Sequence, residues 1–587
     1  MISIAKSMKL ISKIPASVVI ALLFGWQILL TFQGLDLADT GFQLTAYRFI
    51  FEDPYSVQYS MMYWLSDVCG HFWMNIWPNG GLYWFRLGWV ILLSSVFFIY
   101  LKQLIPLFGK NNAVIGLAVT LVFILLGGPE CLNYDIFSTF GFALGLVTIY
   151  HGLLNGNRML LVLSGLIFGI SVFFKLSNLS SVAFIALIPF SAMINRDGVR
   201  IFLKNCFYWL IGFGLGIAVA LFFIHAAGHL DLFLNNLRFV SAMGNDLQSS
   251  HGLKPMFRSY LSGYFNAFVL LILFLIVFWL YTGFTAKFSS LNKKRIQVIL
   301  LVAISVVVLL LTIFLKDVFW SKIRYLFMGL MILQGIGIIT DKNARKELRL
   351  LSLAGLILLL IVPLGSDSGL DKSIWGMWVL GPILLSGVDN SLFRLSGKSE
   401  LQQSLFLKRV LLLVVLLAAM VHAWQTPYFD VGSRTMKTVK IDHPRLNYIY
   451  TSAKRAAVMN ELIKDGFPPI SREKYLLAFI EIPMVNYLAE KTPFISTSWP
   501  KLYYNPEKFR LKLEEALRHR NEFPAIIRQK QNTMLADWPD IPDPDYLNYP
   551  ADLSKWPEHG KILNEFIATN DYQVVWENEM FQVLSRK

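Results

Sequence analysis

Long apolar blocks constrain this chain more than any other feature of its sequence. Thirteen stretches of mainly apolar residues, separated by short polar loops, occur between residues 15 and 424. A helix rises about 1.5 Å per residue, so a block of roughly 20 apolar residues crosses the ~30 Å hydrocarbon layer of a bilayer. Charged residues make up 16% of the chain, whereas soluble proteins carry about 25%. The sequence therefore predicts a polytopic α-helical membrane protein with about 13 transmembrane helices.

The charges of the loops predict the orientation of these spans. Lys and Arg concentrate in every second loop and in the N-terminal tail, which carries Lys6, Lys9 and Lys13. Cytoplasmic loops of membrane proteins are enriched in these residues. We therefore expect a cytoplasmic N-terminus, and an odd number of spans places the C-terminus outside. The predicted spans cover approximately residues 15–32, 82–101, 113–126, 136–154, 159–174, 179–194, 207–225, 261–284, 296–315, 323–340, 350–364, 374–388 and 410–424.

The same loop charges argue against a nucleic-acid partner. The net charge is +15, but much of the excess lies in short loops between spans, where it sets topology. Neither the cysteines nor the histidines have the spacing of metal ligands. No metal site and no cofactor are therefore predicted, although the sequence leaves room for a divalent ion. Cys69 and Cys131 are predicted to face the same side, and whether they pair stays open.

The composition changes at Gln425 to a soluble pattern rich in prolines and charges. This divides the chain into a transmembrane domain, residues 1–424, and a small α/β domain outside the cytoplasm, residues 425–587. Within the second domain we expect helices over about 448–464 and 509–518. Short apolar runs predict strands at 475–480 and 525–527, and residues 573–584 predict a hairpin that turns at 577–579.

The first outer loop, residues 34–81, places two carboxylates just beyond the first span. Asp36 and Asp39 are followed by aromatic, amphipathic segments that we expect to form interfacial helices. Other charges also lie at predicted outer ends of spans: Asp135, Lys175, Arg258, Arg324 and Asp367. A charge at the hydrocarbon edge costs free energy unless it is paired or opens on water, so such residues are functional candidates.

This mixture of acids and cations suits one type of chemistry. A carboxylate can deprotonate an acceptor hydroxyl or amine as a general base. Lys and Arg can hold a departing phosphate and neutralise its developing charge. The transfer of a sugar from a lipid-phosphate carrier needs both functions.

Structural roles would also explain each of these residues. Asp39 and Asp135 each precede a predicted helix and are possible N-caps. Asp36 is interpreted as a solvated or supporting acid, and Asp367 as a turn residue. Lys175 and Arg324 have the snorkelling positions of interfacial cations.

Four short motifs resemble the GT-C superfamily of membrane glycosyltransferases, in particular its protein O-mannosyltransferase and lipid A aminoarabinose transferase branch. The first is Asp39-Thr-Gly-Phe42, followed by Glu52-Asp-Pro-Tyr55, in the first outer loop. The others are the loop from Pro129 to Asp135, the stretch Phe173-Phe-Lys-Leu176, and Ile323-Arg-Tyr-Leu326. Thirteen spans followed by an outer domain also match the aminoarabinose transferase layout. The chain departs from the pattern at Thr40, where Glu is common, and at Leu176-Ser177, which replaces Gly-Pro.

The resemblance implies a glycosyltransferase of the bacterial inner membrane with a periplasmic C-terminal domain. It implies a polyprenyl-phosphate sugar donor, a lipid, glycan or protein acceptor, and inversion at the anomeric carbon. Asp39 matches the position of the general base. Asp36 or Asp135 is then the supporting acid, and the residues expected at the donor phosphate are Lys175, Arg324 and Arg258.

Two other classes remain as alternatives. An O-antigen polymerase or ligase is also polytopic, but such enzymes concentrate Arg in a large outer loop. Here residues 226–260 hold only Arg238, Lys254 and Arg258. A transporter would place polar or broken helices at the bilayer midplane, whereas these spans are apolar there.

Overall fold

Helices dominate the computed structural model, which describes residues 15–244, 252–285, 290–366, 368–391, 398–503, 505–534, 537–539 and 557–587. The α-helices of the first 425 residues are Ala16–Leu30, Asp39–Phe49, Trp64–Ile76, Gly81–Phe108, Lys110–Leu125, Tyr134–Asn155, Arg158–Ser171, Leu187–Asn195, Val199–Ala226, Leu230–Gly244, Leu253–Thr285, Ser290–Thr340, Lys346–Ile361, Leu380–Ser391 and Lys398–Gln425. Segments of 3₁₀ helix cover Pro54–Tyr63, Pro78–Gly80, Leu176–Ala186 and Gly369–Gly376.

The chain is a multi-pass membrane protein. Among the described residues, six helices are long and apolar enough to cross a bilayer, and four shorter helices are also apolar. Every predicted span falls on a helical segment, and the two spans within Ser290–Thr340 meet at a kink at Lys316. The number of thirteen spans and their orientation stay predictions.

The first loop folds differently from the expected surface helices. Nearly every side chain of the Asp39–Phe49 helix is buried, because this helix packs against the Trp64–Ile76 helix and the short helix Met484–Leu488 of the C-terminal part. The Trp64–Ile76 helix does keep exposed apolar side chains at its end, at Phe72 and Ile76. The first loop is therefore mostly an internal element of the protein.

The C-terminal part is built on a five-stranded mixed sheet. Its strands, in spatial order, are Thr492–Pro493, Tyr475–Phe479, Ala525–Gln529, Phe581–Arg586 and Tyr572–Glu577. The first three strands are parallel and the last two pair antiparallel. A separate two-stranded sheet pairs Val439–Lys440 with Tyr450–Thr451. The helices are Ala453–Glu461, Met484–Leu488, Pro506–Arg520 and Pro557–Thr569.

The predicted strands and the hairpin of this part are confirmed, and so is the helix expected over 509–518. The helix expected over 448–464 begins later, at Ala453, because Ser452 caps its N-terminus. The Pro557–Thr569 helix was not predicted. The assignment of residues 425–587 as a separate domain outside the cytoplasm stays a prediction.

Two buried arginines fix the chain between the first helix and the first acids. Arg86 comes from the Gly81–Phe108 helix, and Arg434 comes from the C-terminal part. Their guanidinium groups donate, over 2.7–3.2 Å, to the backbone carbonyl oxygens of Leu30, Thr31, Gln33 and Gly34. Arg434 also pairs with Glu130. Arg86 and Arg434 therefore hold the chain in place just before the first acids. This region lies at the end of the helical bundle that the C-terminal part covers, and we call it the covered end.

Candidate active site

Asp36 holds the start of the Asp39–Phe49 helix. Its two carboxylate oxygens accept hydrogen bonds from the backbone N–H groups of Ala38, at 2.8 Å, and Thr40, at 2.7 Å. Such bonds satisfy amides that have no partner within the helix. The side chain is only 3% exposed, so the interpretation of Asp36 as a solvated acid is wrong. Burial, together with the neighbouring charge of Asp39, raises the pKa of Asp36 to about 7.

Asp39 is the first residue of this helix rather than its cap, and its side chain remains partly exposed. The Tyr428 hydroxyl, from the segment after the last bundle helix, donates to its Oδ2. The described residues give its other oxygen, Oδ1, no hydrogen bond. Burial raises the pKa of Asp39, while the Tyr428 hydrogen bond and the charges of Lys372 and Lys501 oppose that shift. A carboxylate with a raised pKa and one unpartnered oxygen is suited to accept a proton.

Asp135 binds two lysines. Its Oδ1 lies 3.0 Å from Nζ of Lys175 and its Oδ2 lies 3.2 Å from Nζ of Lys372. The helix that begins here is capped by Asn133, whose side-chain oxygen accepts from the N–H groups of residues 135 and 136 at 2.9 and 3.1 Å. Asp135 is therefore not the N-cap. The Asp135 charge also raises the pKa of Asp39. Tyr47, in the helix that carries Asp39, donates its hydroxyl to the carbonyl of Leu132 at 3.0 Å, so this helix contacts the loop that leads to Asp135.

Lys175 is buried and does not snorkel. Besides its pairing with Asp135, its Nζ lies 5.1 Å from the centre of the Tyr134 ring. That ring stacks on Tyr63 of the first loop, with centroids 4.0 Å apart and planes 9° apart. Lys175 is therefore held between a carboxylate and an aromatic face, with further N–H groups of its ammonium available to a ligand.

Gly41, in the motif Asp39-Thr-Gly-Phe42, permits a close helix contact. A Cβ atom at this position would lie 2.2 Å from the backbone nitrogen of Met484. Thr45, one turn further, donates its hydroxyl to the carbonyl of Pro483 at 3.1 Å. Only glycine lets the helix that carries Asp39 approach the C-terminal part this closely.

The remaining candidates have less direct relations to these acids. Arg324 lies at the covered end, 3.8 Å from Asp371, the residue before Lys372. Arg258 is exposed, and no contact brings it to the acids. Asp367 lies outside the described residues. The structure thus brings together Asp36, Asp39, Asp135 and Lys175. Arg324 is connected to them less directly, because its partner Asp371 is the chain neighbour of Lys372, which binds Asp135.

Three residues of the cluster were missed from the sequence. Lys372 ends a predicted outer loop, and its position just before a span is the signal that points to it. Tyr428 and Lys501 belong to the C-terminal part, and only the tertiary fold brings them to Asp39. Lys501 also pairs with the buried Glu481.

A metal-binding cluster is not evident in the described part of the chain. There, no three His, Cys, Asp or Glu side chains are grouped as ligands of one ion. The three cysteines, Cys69, Cys131 and Cys206, are free thiols.

Comparison with known proteins gives structural matches at low identity. No protein-family model matches the chain, and no curated protein matches it. The structure is similar to ArnT from Cupriavidus metallidurans bound to undecaprenyl phosphate, with a TM-score of 0.47, 10% identity and 97% of each chain covered. It is also similar to the oligosaccharyltransferase of Archaeoglobus fulgidus, with a TM-score of 0.45, 11% identity, and 87% of this chain and 68% of that chain covered.

A further match is the Archaeoglobus fulgidus oligosaccharyltransferase AglB in complex with an inhibitory peptide and a dolichol-phosphate. Its TM-score is 0.42 at 10% identity, covering 88% of this chain and 70% of that chain. Both Archaeoglobus fulgidus neighbours are oligosaccharyltransferases. Identities this low leave the chemistry of this chain to be argued from its own residues.

Proposed function

We propose that this chain is a membrane glycosyltransferase that moves a sugar from a polyprenyl-phosphate donor to a lipid, glycan or protein acceptor. The observation that carries the proposal is the juxtaposition of a partly exposed acid, Asp39, with a second acid, Asp135, that holds Lys175 and Lys372. One part of this cluster can accept a proton and the other can bind a phosphate. Both lie at one end of a bundle of apolar helices, where a lipid carrier can enter.

In the proposed reaction, Asp39 acts as the general base. Its Oδ1 takes the proton of the acceptor hydroxyl or amine as the acceptor atom attacks the anomeric carbon of the donor. The bond between that carbon and the phosphate oxygen breaks, and its electron pair leaves with the polyprenyl phosphate. Attack from the side opposite the leaving phosphate inverts the configuration at the anomeric carbon.

Lys175 and Lys372 neutralise the departing phosphate in this scheme. The Lys175 ammonium has three N–H donors, so it can keep its hydrogen bond to Asp135 and still donate to a phosphate oxygen. Lys372 adds a second positive charge at the same carboxylate. Asp135 fixes the two cations in place. Arg324, beside Asp371, is a candidate for an outer phosphate contact. Asp36 is the supporting acid, since it fixes the helix start that carries the base.

The proposed location is the bacterial inner membrane, with this site on the periplasmic face. The polyprenyl chain would lie between the apolar helices, and the C-terminal part would cover the acceptor. Tyr428, Lys501 and the close contact at Gly41 support that role for the C-terminal part, because they bring it against the helix that carries the base.

Replacement of the phosphate-binding lysines tests the donor site. We expect Lys175→Gln, and separately Lys372→Gln, to raise the KM for a polyprenyl-phosphate sugar by about 10- to 100-fold, because each removes a charged hydrogen bond. Lys322→Gln, an exposed lysine near Arg324, is the matched control and should leave KM unchanged. Donor titrations in proteoliposomes measure the effect. An unchanged donor KM in both variants of well-folded protein would remove these lysines from the site.

The pH dependence of activity in a Tyr428→Phe variant tests whether Asp39 is the general base. This bond stabilises the ionised form of Asp39 and lowers its pKa, so Tyr428→Phe raises that pKa further. Activity requires the ionised carboxylate, and we expect the acidic limb of the kcat/KM profile to move to higher pH. Tyr208→Phe is the control. The Tyr208 ring packs against Arg158, at the end of the Arg158–Ser171 helix that is farther along the chain from Lys175. Superimposable profiles for wild type and Tyr428→Phe would show that Asp39 is not the titrating group.

A further inference from the structure

A cavity of about 340 Å³ lies between the first loop and the C-terminal part. Three parts of the chain form its walls. They are the Pro54–Tyr63 segment of the first loop, the Leu230–Gly244 helix, and the C-terminal part with its Pro506–Arg520 helix. The volume is within the range of about 300–1,000 Å³ typical of small-ligand sites. The reaction scheme above uses none of its lining residues.

Aromatic rings form one side of this cavity. Tyr59, Phe239 and Tyr503 meet edge to face, with ring centres 5.6–6.2 Å apart. Tyr55 stacks obliquely on His519, with ring centres 4.2 Å apart. Such rings offer apolar faces to C–H groups and a hydroxyl to polar groups of a ligand.

Amide side chains form the polar side. Gln58, Asn235 and Asn236 line the cavity, and each amide both donates and accepts hydrogen bonds. Asn236 is only 3% exposed, and its N–H group donates to the carbonyl of Tyr59 at 3.2 Å. Its side-chain oxygen accepts from none of the described residues and is therefore available to a ligand.

The charges of the cavity cancel. Lys512 and Glu515 form an ion pair of 2.7 Å, and Tyr55 donates to the same carboxylate at 3.3 Å. Two further cations lie against the lining rings: Lys508, with its Nζ 5.6 Å from the centre of Phe239, and Arg520, which pairs with Asp53 and lies 4.9 Å from the centre of Tyr55. Neither of them lines the cavity, so a phosphate would meet no uncancelled charge among the described residues of the cavity wall. Among the described lining residues, an acyl chain would find a single aliphatic side chain, that of Leu232. Aromatic faces with amides and a paired carboxylate instead match a neutral ring that bears hydroxyl groups.

The cavity is close to the proposed base. Tyr59 packs edge-on against Phe42, with ring centres 6.3 Å apart, and Phe42 follows Asp39 in the same helix. The backbone N–H of Tyr59 also donates to the carbonyl of Ser496 in the C-terminal part, at 3.0 Å. One wall of the cavity therefore packs directly against the helix that carries Asp39.

We propose that this cavity binds a neutral sugar residue of the acceptor, which would make the acceptor a glycan or a glycolipid. The inference rests on the proposed function, because it names the acceptor class for the same site. The acceptor would then contact the protein at two places, with its reacting hydroxyl at Asp39 and a neighbouring sugar among Tyr59, Phe239 and Asn236.

Direct binding in nanodiscs, without sugar-based detergent, tests this proposal. The probes are N-acetylglucosamine, methyl α-mannoside and methyl β-galactoside, with glucose 6-phosphate as an anionic probe, detected by saturation-transfer NMR. We expect at least one neutral probe to bind and Asn235→Ala and Glu515→Gln to weaken it by about fivefold or more, as for the loss of one hydrogen bond. Glu514→Gln, on the adjacent and exposed position of the same helix, should bind like wild type.

The Asp39→Asn variant separates this proposal from the proposed function. It should bind the neutral probe with unchanged affinity even though transfer is lost. Three results would overturn the inference: no binding of any neutral probe, stronger binding of glucose 6-phosphate, or equal binding by wild type and Asn235→Ala. Transfer that survives in Asp39→Asn would instead contradict the catalytic scheme and leave the binding result interpretable.

Discussion

Sugar transfer by the Asp39→Asn variant is expected to fall by about 10²- to 10⁴-fold, the usual contribution of a general base. Asparagine keeps the size of the side chain and can still accept the hydrogen bond from Tyr428, so the fold should be preserved. It cannot take the proton of the acceptor. The effect should appear in kcat, because the lysines of the proposed donor site are untouched. Initial rates in proteoliposomes, with thermal unfolding of the same samples, measure both quantities.

Glu52→Gln is the matched control for this variant. Glu52 follows the same helix, is well exposed and pairs with Arg48 at 2.9 Å. Its neutralisation changes the charge of the first loop without touching the cluster, so activity should stay near that of wild type. If Asp39→Asn transferred sugar at the wild-type rate, the base would have to be another residue.

The second large effect concerns stability. Asp430 is fully buried and pairs with Lys437 and Arg455. It also accepts a hydrogen bond from the backbone N–H of Leu35 at 2.7 Å. Asp430→Asn would leave the buried cations facing a neutral amide, and the free energy of unfolding should fall by about 3–5 kcal/mol. Thermal unfolding of the purified protein should show a clearly lower Tm.

Asp430→Asn should also reduce activity, because Leu35 directly precedes Asp36 in the chain. Asp442→Asn serves as its control, since Asp442 is exposed in the same part of the protein and surface substitutions usually change stability by less than about 0.5 kcal/mol. Equal unfolding temperatures for the two variants would show that the buried pairs do not hold the first loop to the C-terminal part.

The helices of the bundle could be predicted because the apolar composition of each segment alone indicates that it lies in a membrane. A long apolar block has to be helical in a bilayer, where no water satisfies its backbone. The strand Tyr475–Phe479 and the hairpin ending at Arg586 were also predictable, since short apolar runs and a polar turn specify them. The Asp39–Phe49 helix was misjudged as a surface element, because the partner that buries it lies more than 400 residues away at Met484.

The candidate site was predictable in part for a similar reason. Asp39, Asp135 and Lys175 stand at the ends of apolar blocks, where a charge is conspicuous. Tyr428 and Lys501 are ordinary residues of a polar segment, and their proximity to Asp39 depends on how the C-terminal part docks. Asp36 was misjudged in a different way. The sequence indicates an acid in a loop, whereas in the fold its buried carboxylate accepts hydrogen bonds from the backbone at the start of a helix.

The most direct test of the account is the identity of the donor that the purified protein consumes. Wild type and Asp39→Asn are incubated in proteoliposomes with labelled sugars on undecaprenyl monophosphate or on undecaprenyl pyrophosphate, with bacterial envelope extract as acceptor. The account predicts that wild type transfers label from a monophosphate donor and releases undecaprenyl phosphate, and that Asp39→Asn does not. Transfer from pyrophosphate donors alone, or no consumption of any monophosphate donor, would contradict it.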